Sequence, residues 1–188
     1  MKIVEKENIE EIVKVLKEDG VIAYPTDTVY GLAVRYFSNN AKENLINKKN
    51  RPLEKSFPIM VSDIEMLKDI ANVSDRDEKI INKLMPGPLT VILNKKDNGT
   101  IAVRMASDKY IKEIIKTLNE PIYLTSANKS NEPVCKNVEE VLSAKLSDLI
   151  VKGTPGNDKP STIVDLSSKE IVILREGPIS KDEILNVV

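Results

Sequence analysis

The sequence predicts an α/β chain in which helices pack on a mixed sheet, one holding both parallel and antiparallel strands. Three observations carry this. Helix-periodic stretches and short β-rich apolar runs alternate along most of the 188 residues, the pattern of a sheet covered by helices. Asn98-Gly99 sits between two β-rich runs, Leu89 to Leu93 and Thr100 to Arg104, a strong hairpin signal. A hairpin inside an alternating chain makes the sheet mixed. With 41% hydrophobic side chains the chain can bury one sizeable core, and its length favours a single domain over residues 1–188.

Each element has a local reason. The first helix begins at Asn8, with Glu11 at capping-box spacing and Ile9, Ile12, Val13 and Leu16 at helical spacing, and Gly20 stops it. Val21 to Tyr24 is a strand that runs into PTDTVYGL, and Leu32 to Val34 is a second, so two strands flank that loop. A helix over Ala41 to Lys48 and a strand over Phe57 to Val61 follow. Ser62 with Glu65 and Ser74 with Asp77 open two more helices, the second ended by Pro86-Gly87-Pro88. Beyond the hairpin, Asp108 to Leu118 carries Ile111, Ile114, Ile115 and Leu118 on one helical face, and Ile122 to Ser126 is apolar strand. Asn137 with Glu140 caps another helix. Three short strands, Leu149 to Val151, Thr162 to Leu166 and Ile171 to Leu174, precede a last helix capped by Ser180 and Glu183. The Gly- and Pro-rich stretch Gly153 to Ser161 fits either a lid or a plain surface loop.

Composition removes whole mechanisms. The chain has no histidine and one cysteine, so a Ser-His-Asp triad, a Cys-His pair, a His-ligated or multi-cysteine zinc site and an intrachain disulfide are excluded. What remains is chemistry run by Lys, Arg, hydroxyls, amides and carboxylates, with any metal an oxygen-liking ion such as Mg²⁺. The net charge of -1 means that any nucleic-acid contact must come from a local patch. No apolar run reaches ~18 residues, and MKIVEKEN is too charged for a signal peptide, so no membrane role is expected and the cytoplasm is the default location.

Polar groups collect where strands end, which is where open α/β sheets hold ligands. Ser126 and Asn128 lie two apart and point the same way if the strand continues, ready for a sugar or phosphate; TSANKSN also reads as an ordinary polar turn. In NKKNRP, Pro52 biases Arg51 towards extension, which puts Lys49 and Arg51 on one side to neutralise a triphosphate; a solvated basic helix end explains them too. Arg104 shares a strand face with the small residues Thr100 and Ala102 and suits an anion, and Arg175 ends its strand in the same manner. Either arginine also fits a sheet rim with its stem packed. PTDTVYGL sets Thr26, Asp27, Thr28 and Tyr30 between two strands, with Gly31 permitting an unusual backbone. No GxxxxGK[ST] or GxGxxG is present.

Taken together and in order, PTDTVYGL, Lys49-x-Arg51-Pro52, PGPLT at Pro86 to Thr90, AVRM at Ala102 to Met105, SAN at Ser126 to Asn128, STIVDL at Ser161 to Leu166 and LREGP at Leu174 to Pro178 resemble the YrdC/TsaC-type threonylcarbamoyl-adenylate synthases. The resemblance covers nearly the whole chain. It implies a twisted, open, YrdC-like α/β domain with a concave basic cavity, in which threonine and bicarbonate form a carbamate that attacks the α-phosphate of ATP and releases pyrophosphate. By motif, Lys49 and Arg51 would be catalytic and hold the triphosphate, Ser126 and Asn128 the nucleotide, with Thr100 nearby, and Arg175 the phosphate or ribose side. Thr26, Arg104, Ser161 and Thr162 would form the threonine side. Lys49, Arg51, Arg104 and Arg175 would thus gather around one anionic ligand. Mg²⁺ would bridge ATP oxygens with few protein ligands, so no dedicated metal residues are expected. The adenylate would pass to the tRNA threonylcarbamoyl-transfer machinery, and any tRNA contact would rest on the basic cavity. Competing readings are an RNA-binding module of the same fold, or a relative acting on another acyl group or nucleotide.

Three departures stand out. Ser56-Phe57-Pro58 follows Lys55 where the family usually reads Lys-Pro-Leu. Met60 lies where many relatives carry a histidine. The chain ends just after the catalytic region, as in the short form.

Overall fold

A computed structural model of the chain describes residues 1–52, 56–156 and 159–188. Lys55, which precedes the first departure, and residues 157–158 of the glycine-rich stretch lie outside the described residues. In chain order the elements are β1 (Lys2–Val4), α1 (Ile9–Lys17), β2 (Ile22–Pro25), β3 (Tyr30–Arg35), α2 (Asn39–Lys49) and β4 (Ile59–Val61). Next come α3 (Ile64–Ile70), α4 (Asp75–Leu84), β5 (Leu89–Asn94), β6 (Thr100–Met105), α5 (Lys109–Leu118) and β7 (Ile122–Ser126). The chain closes with α6 (Val138–Ala144), β8 (Leu149–Val151), β9 (Thr162–Asp165), β10 (Val172–Arg175) and α7 (Lys181–Leu185). Among the described residues no helix is long and apolar enough to cross a membrane.

Contacts group the chain into two compact units, Met1–Phe57 with Asp108–Asp158, and Pro58–Ser107 with Lys159–Val188. In the first, the strand order is β1-β8-β2-β3-β7. β8 runs parallel to both β1 and β2, while β3 is antiparallel to β2 and β7. Leu32, Val34, Leu45, Phe57, Val141 and Ile150 belong to its buried cluster, each large aliphatic stabilising the unit by roughly 1.5–3 kcal/mol. Asp108 caps α5 by accepting from the backbone N–H of Tyr110 and Ile111. The same carboxylate takes the Tyr24 hydroxyl at 2.6 Å and the Lys6 ammonium at 2.8 Å. That cluster ties the end of β2, where PTDTVYGL begins, to the start of α5.

In the second unit the order is β4-β6-β5-β9-β10, with β4 parallel to β6, β5 antiparallel to β6, β5 parallel to β9 and β9 antiparallel to β10. The expected hairpin is therefore present as β5 and β6. In each unit the strands run both parallel and antiparallel, the mixed arrangement predicted, and helices alternate with them along the chain.

Three local expectations need correction, and one strand was not foreseen. Asn8 makes no side-chain cap; its Oδ1 instead accepts from the Glu5 N–H, three residues earlier. Asp63, not Ser62, caps α3: the helix starts at Ile64, so Asp63 holds the cap position and accepts from Met66 N–H, and Ser62 donates its hydroxyl to Asp63. The strand expected from Phe57 begins at Ile59, since Pro58 has no N–H to give a ladder. The three-residue β1 had no readable period and exists through its pairing with β8.

Candidate active site

Lys49 is the last residue of α2, and the helix ends on Asn50 in the left-handed conformation, with Arg51 N–H bonded back to Ile46 O at 3.1 Å. Asparagine suits that position. The chain thus turns sharply at Asn50 instead of running extended from Lys49 to Arg51, because the left-handed residue closes the last helix carbonyls; Pro52 bears on Arg51 alone and does not set this turn. Lys49 is only 1% exposed. Its ammonium donates to Ser126 O at 2.5 Å, Asn128 O at 2.7 Å and Asn128 Oδ1 at 3.3 Å. An ammonium has three N–H groups, so these acceptors use its full capacity.

Ser126 and Asn128 are brought together by a turn, not by continued strand. β7 ends at Ser126, and Asn128 N–H returns to Ser126 O at 3.1 Å. The Ser126 hydroxyl donates to Asn128 Oδ1 at 2.6 Å, and Asn128 Nδ2 donates to the carbonyls of Lys129 and Glu132. Lys49 O accepts from Ser130 N–H at 2.8 Å, closing the loop on α2. Lys49, Ser126 and Asn128 therefore hold one another, and the buried charge organises the turn. Burial pushes the Lys49 pKa down to about 8, Arg51 pushing the same way and Cys135 opposing. Arg51 donates from Nη2 to Ser56 O at 2.8 Å and lies over the Phe57 ring, 4.7 Å from its centroid. Two of the three departing residues thus shape where Arg51 sits.

In PTDTVYGL the Thr26 hydroxyl donates to Val29 O at 2.6 Å and accepts from the N–H of Thr28 and Val29. The threonine builds the turn between β2 and β3, as Ser and Thr do when they compete with regular structure. The glycine-rich stretch docks on this turn. Tyr30, fully buried, donates to Gly153 O at 2.7 Å, and Gly156 N–H reaches Thr26 O at 2.8 Å. A Cβ on Gly156 would come within 2.0 Å of Asp27 O. Gly31 does not have the unusual backbone expected of it: it sits in β3 with no positive φ. A Cβ there would displace the Leu124 side chain, whose Cδ1 lies at 2.7 Å, and would crowd Thr26 Cγ2 at 3.2 Å and Thr125 O at 3.3 Å.

Arg104 lies on β6, where Ile101, Val103 and Met105 are buried and Thr100, Ala102 and Arg104 are not, the expected alternation. Met60 is its register partner on β4. Ser161 precedes β9 and Arg175 ends β10. The Arg175 guanidinium donates to Ser161 O from Nε at 3.0 Å and Nη2 at 2.8 Å, and Nη2 lies 3.4 Å from Ser161 Oγ. The Thr162 hydroxyl donates to Ile179 O and accepts from the N–H of Gly177 and Ile179, so it fixes the LREGP loop. Lys49 and Arg51 belong to the first unit, Arg104 and Arg175 to the second.

The family described as "Telomere recombination" (Sua5/YciO/YrdC) matches residues 14–177. The chain belongs to the Sua5/YciO/YrdC family. Over 186 residues it is 32% identical to a threonylcarbamoyl-AMP synthase of Photobacterium profundum, covering 91% of this chain and 100% of that one. A crystal structure of P. abyssi Sua5 complexed with L-threonine superposes with a TM-score of 0.90 at 27% identity. That match takes in 100% of this chain and 61% of the other, so the chain spans about three fifths of the archaeal protein. E. coli YciO superposes with a TM-score of 0.83 at 25% identity, covering 97% of this chain and 98% of its own.

Within this Sua5/YciO/YrdC chain, sequence reasoning gave no role to Thr90, Gly156 or Gly177. Thr90 stood inside the PGPLT motif, and its signal was available: a hydroxyl on a strand whose neighbours Leu89 and Val91 are apolar. The two glycines are explained by backbone approaches, Gly177 by a Cβ that would sit 2.5 Å from Pro160 O. Such long-range contacts leave no local pattern.

Proposed function

We propose that this protein makes threonylcarbamoyl-adenylate from L-threonine, bicarbonate and ATP. The threonine amine and bicarbonate give a carbamate with loss of water; a carbamate oxygen bonds to the α-phosphorus, the bond to the β-phosphate oxygen breaks, and pyrophosphate leaves. The full-length similarity to a threonylcarbamoyl-AMP synthase supports the reading, and the observation that carries it is the buried Lys49 ammonium wired to Ser126 and Asn128.

Such chemistry needs positioning and charge neutralisation more than covalent help, which suits a chain without imidazole. Lys49 and Arg51 face the triphosphate. Lys49 acts through its charge, since a unit charge at ~4 Å still attracts by about 4 kcal/mol at protein-surface polarity without a free N–H. Ser126, Asn128 and Thr100 serve the nucleotide and Arg175 its phosphate or ribose. Thr26 and Thr162 support the threonine side through the turns they hold, while Arg104 and Ser161 contact the amino acid. Mg²⁺ bound with ATP would supply charge neutralisation on the phosphates. The product is consumed by a transferase that modifies tRNA, and the reaction belongs in the cytoplasm.

Pyrophosphate release should require threonine, bicarbonate and ATP together, and equal release without threonine contradicts the reading. A pH profile adds a second check. With the Lys49 pKa lowered to about 8, the free enzyme loses this charge as pH rises through that value. At saturating threonine and bicarbonate, kcat/KM for ATP should therefore fall above pH ~8 while kcat holds to higher pH, because bound polyphosphate favours the ammonium. A kcat/KM flat to pH ~9.5 would show that this charge takes no part in capturing ATP.

A further inference from the structure

We propose that Thr90 is a positioning residue for this reaction, its hydroxyl turning the Ser161 proton towards the bound amino acid. The inference rests on the reading that Ser161 contacts threonine or its carbamate. Thr90 lies on β5 between Leu89 and Val91, both fully buried, and is itself 6% exposed, as is Ser161. The two hydroxyl oxygens are 2.7 Å apart, and either could be the donor. Among the described residues the Thr90 hydroxyl has no other hydrogen bond. A buried hydroxyl persists only with a partner, so this strand position is committed to Ser161.

The spacing is fixed by backbone. β5 and β9 are paired in parallel register, Leu89 opposite Thr162 and Thr90 opposite Ile163, and Thr162 N–H donates to Pro88 O at 2.9 Å. Gly177, which has no room for a Cβ against Ser161 C at 2.8 Å, closes the other side.

The proton count then decides the direction. Ser161 Oγ has one proton and two lone pairs. Arg175 Nη2 brings one donor to within 3.4 Å, and Thr90 is the second hydroxyl in reach. When an anionic oxygen of the substrate, carboxylate or carbamate, reaches Ser161, the arrangement with most hydrogen bonds is Thr90 donating to Ser161 and Ser161 donating to the ligand. Each bond in that chain polarises the next, with Arg175 adding to the effect. Without the Thr90 hydroxyl, Ser161 is no longer held in line, and its rotor is free to turn away.

The test is steady-state adenylate formation with the full chain. Thr90→Val keeps the shape and removes the hydroxyl. It should raise KM for L-threonine about tenfold, the equivalent of about 1.4 kcal/mol, while KM for ATP stays within about twofold. Thr90→Ser should restore KM for threonine to within about twofold, since it returns the hydroxyl and not the methyl. Should the valine variant not fold, Thr90→Ala takes its place with the same expected split. Equal rises in both KM values, an unchanged KM for threonine, or a serine variant as impaired as valine would overturn the proposal. Ser161→Ala separates it from its premise. If Ser161→Ala leaves KM for threonine unchanged, the assignment of Ser161 fails; if that variant raises KM and Thr90→Val does not, only the role of Thr90 fails.

Discussion

Lys49→Ala should lower adenylate synthesis by about 100-fold or more, close to 3 kcal/mol of lost transition-state stabilisation, and should also lower the melting temperature. The second effect follows from burial. Lys49 is not a solvated helix end but the donor to Ser126 O, Asn128 O and Asn128 Oδ1. Removing it leaves Asn128 O without its donor, while Ser126 O keeps the Asn128 N–H and Asn128 Oδ1 keeps the Ser126 hydroxyl; at roughly 1–3 kcal/mol for a stripped acceptor, a domain of this size should melt roughly 2–12 °C lower. Lys49→Met divides the two contributions: the stem still packs, so part of the stability returns, while activity stays as low as in the alanine variant because the charge is gone. Thermal melts beside pyrophosphate assays read both. A stable, fully active Lys49→Met would show that the ammonium plays no part in the reaction.

Arg104→Ala should raise KM for L-threonine by about 100-fold with KM for ATP changed by no more than about threefold. A guanidinium fork matches a carboxylate, and charge-assisted bonds contribute about 1.5–3 kcal/mol each. Arg104→Lys keeps the charge and loses the fork, so it should fall between wild type and alanine. The position favours this role: Arg104 shares the less buried face of β6 with the small residues Thr100 and Ala102. A threonine KM that does not move in Arg104→Ala would remove this residue from the amino-acid side.

These two residues also show what a sequence exposes and what it hides. The alternation along Thr100 to Met105 is local, so the face on which Arg104 lies was readable, as were the Ser74 and Ser180 capping boxes and the Asn137 cap. Lys49 was readable as a cation near the right motif but not as buried, since the acceptors that make its burial tolerable come from residues 126 and 128, far along the chain. The same distance hid the pairing of β5 with β9 and thereby the meeting of Thr90 with Ser161. Extension at Lys49 to Arg51 was inferred from Pro52 alone, whereas the helix end imposed its own geometry through Asn50. Thr26 was legible as a hydroxyl in a dense polar loop, yet which group that hydroxyl bonds was set by the turn itself. Local chemistry was legible; partners supplied by other strands were not.

The most direct test of the proposed reaction is the product formed from ATP, L-threonine and carbon-13 bicarbonate, followed by mass spectrometry. The expected product is an adenylate that carries both threonine and the heavy carbon in its carbamoyl group, with one pyrophosphate released per adenylate. ATP consumed as fast without threonine as with it, or an adenylate lacking the heavy carbon, would contradict that reaction.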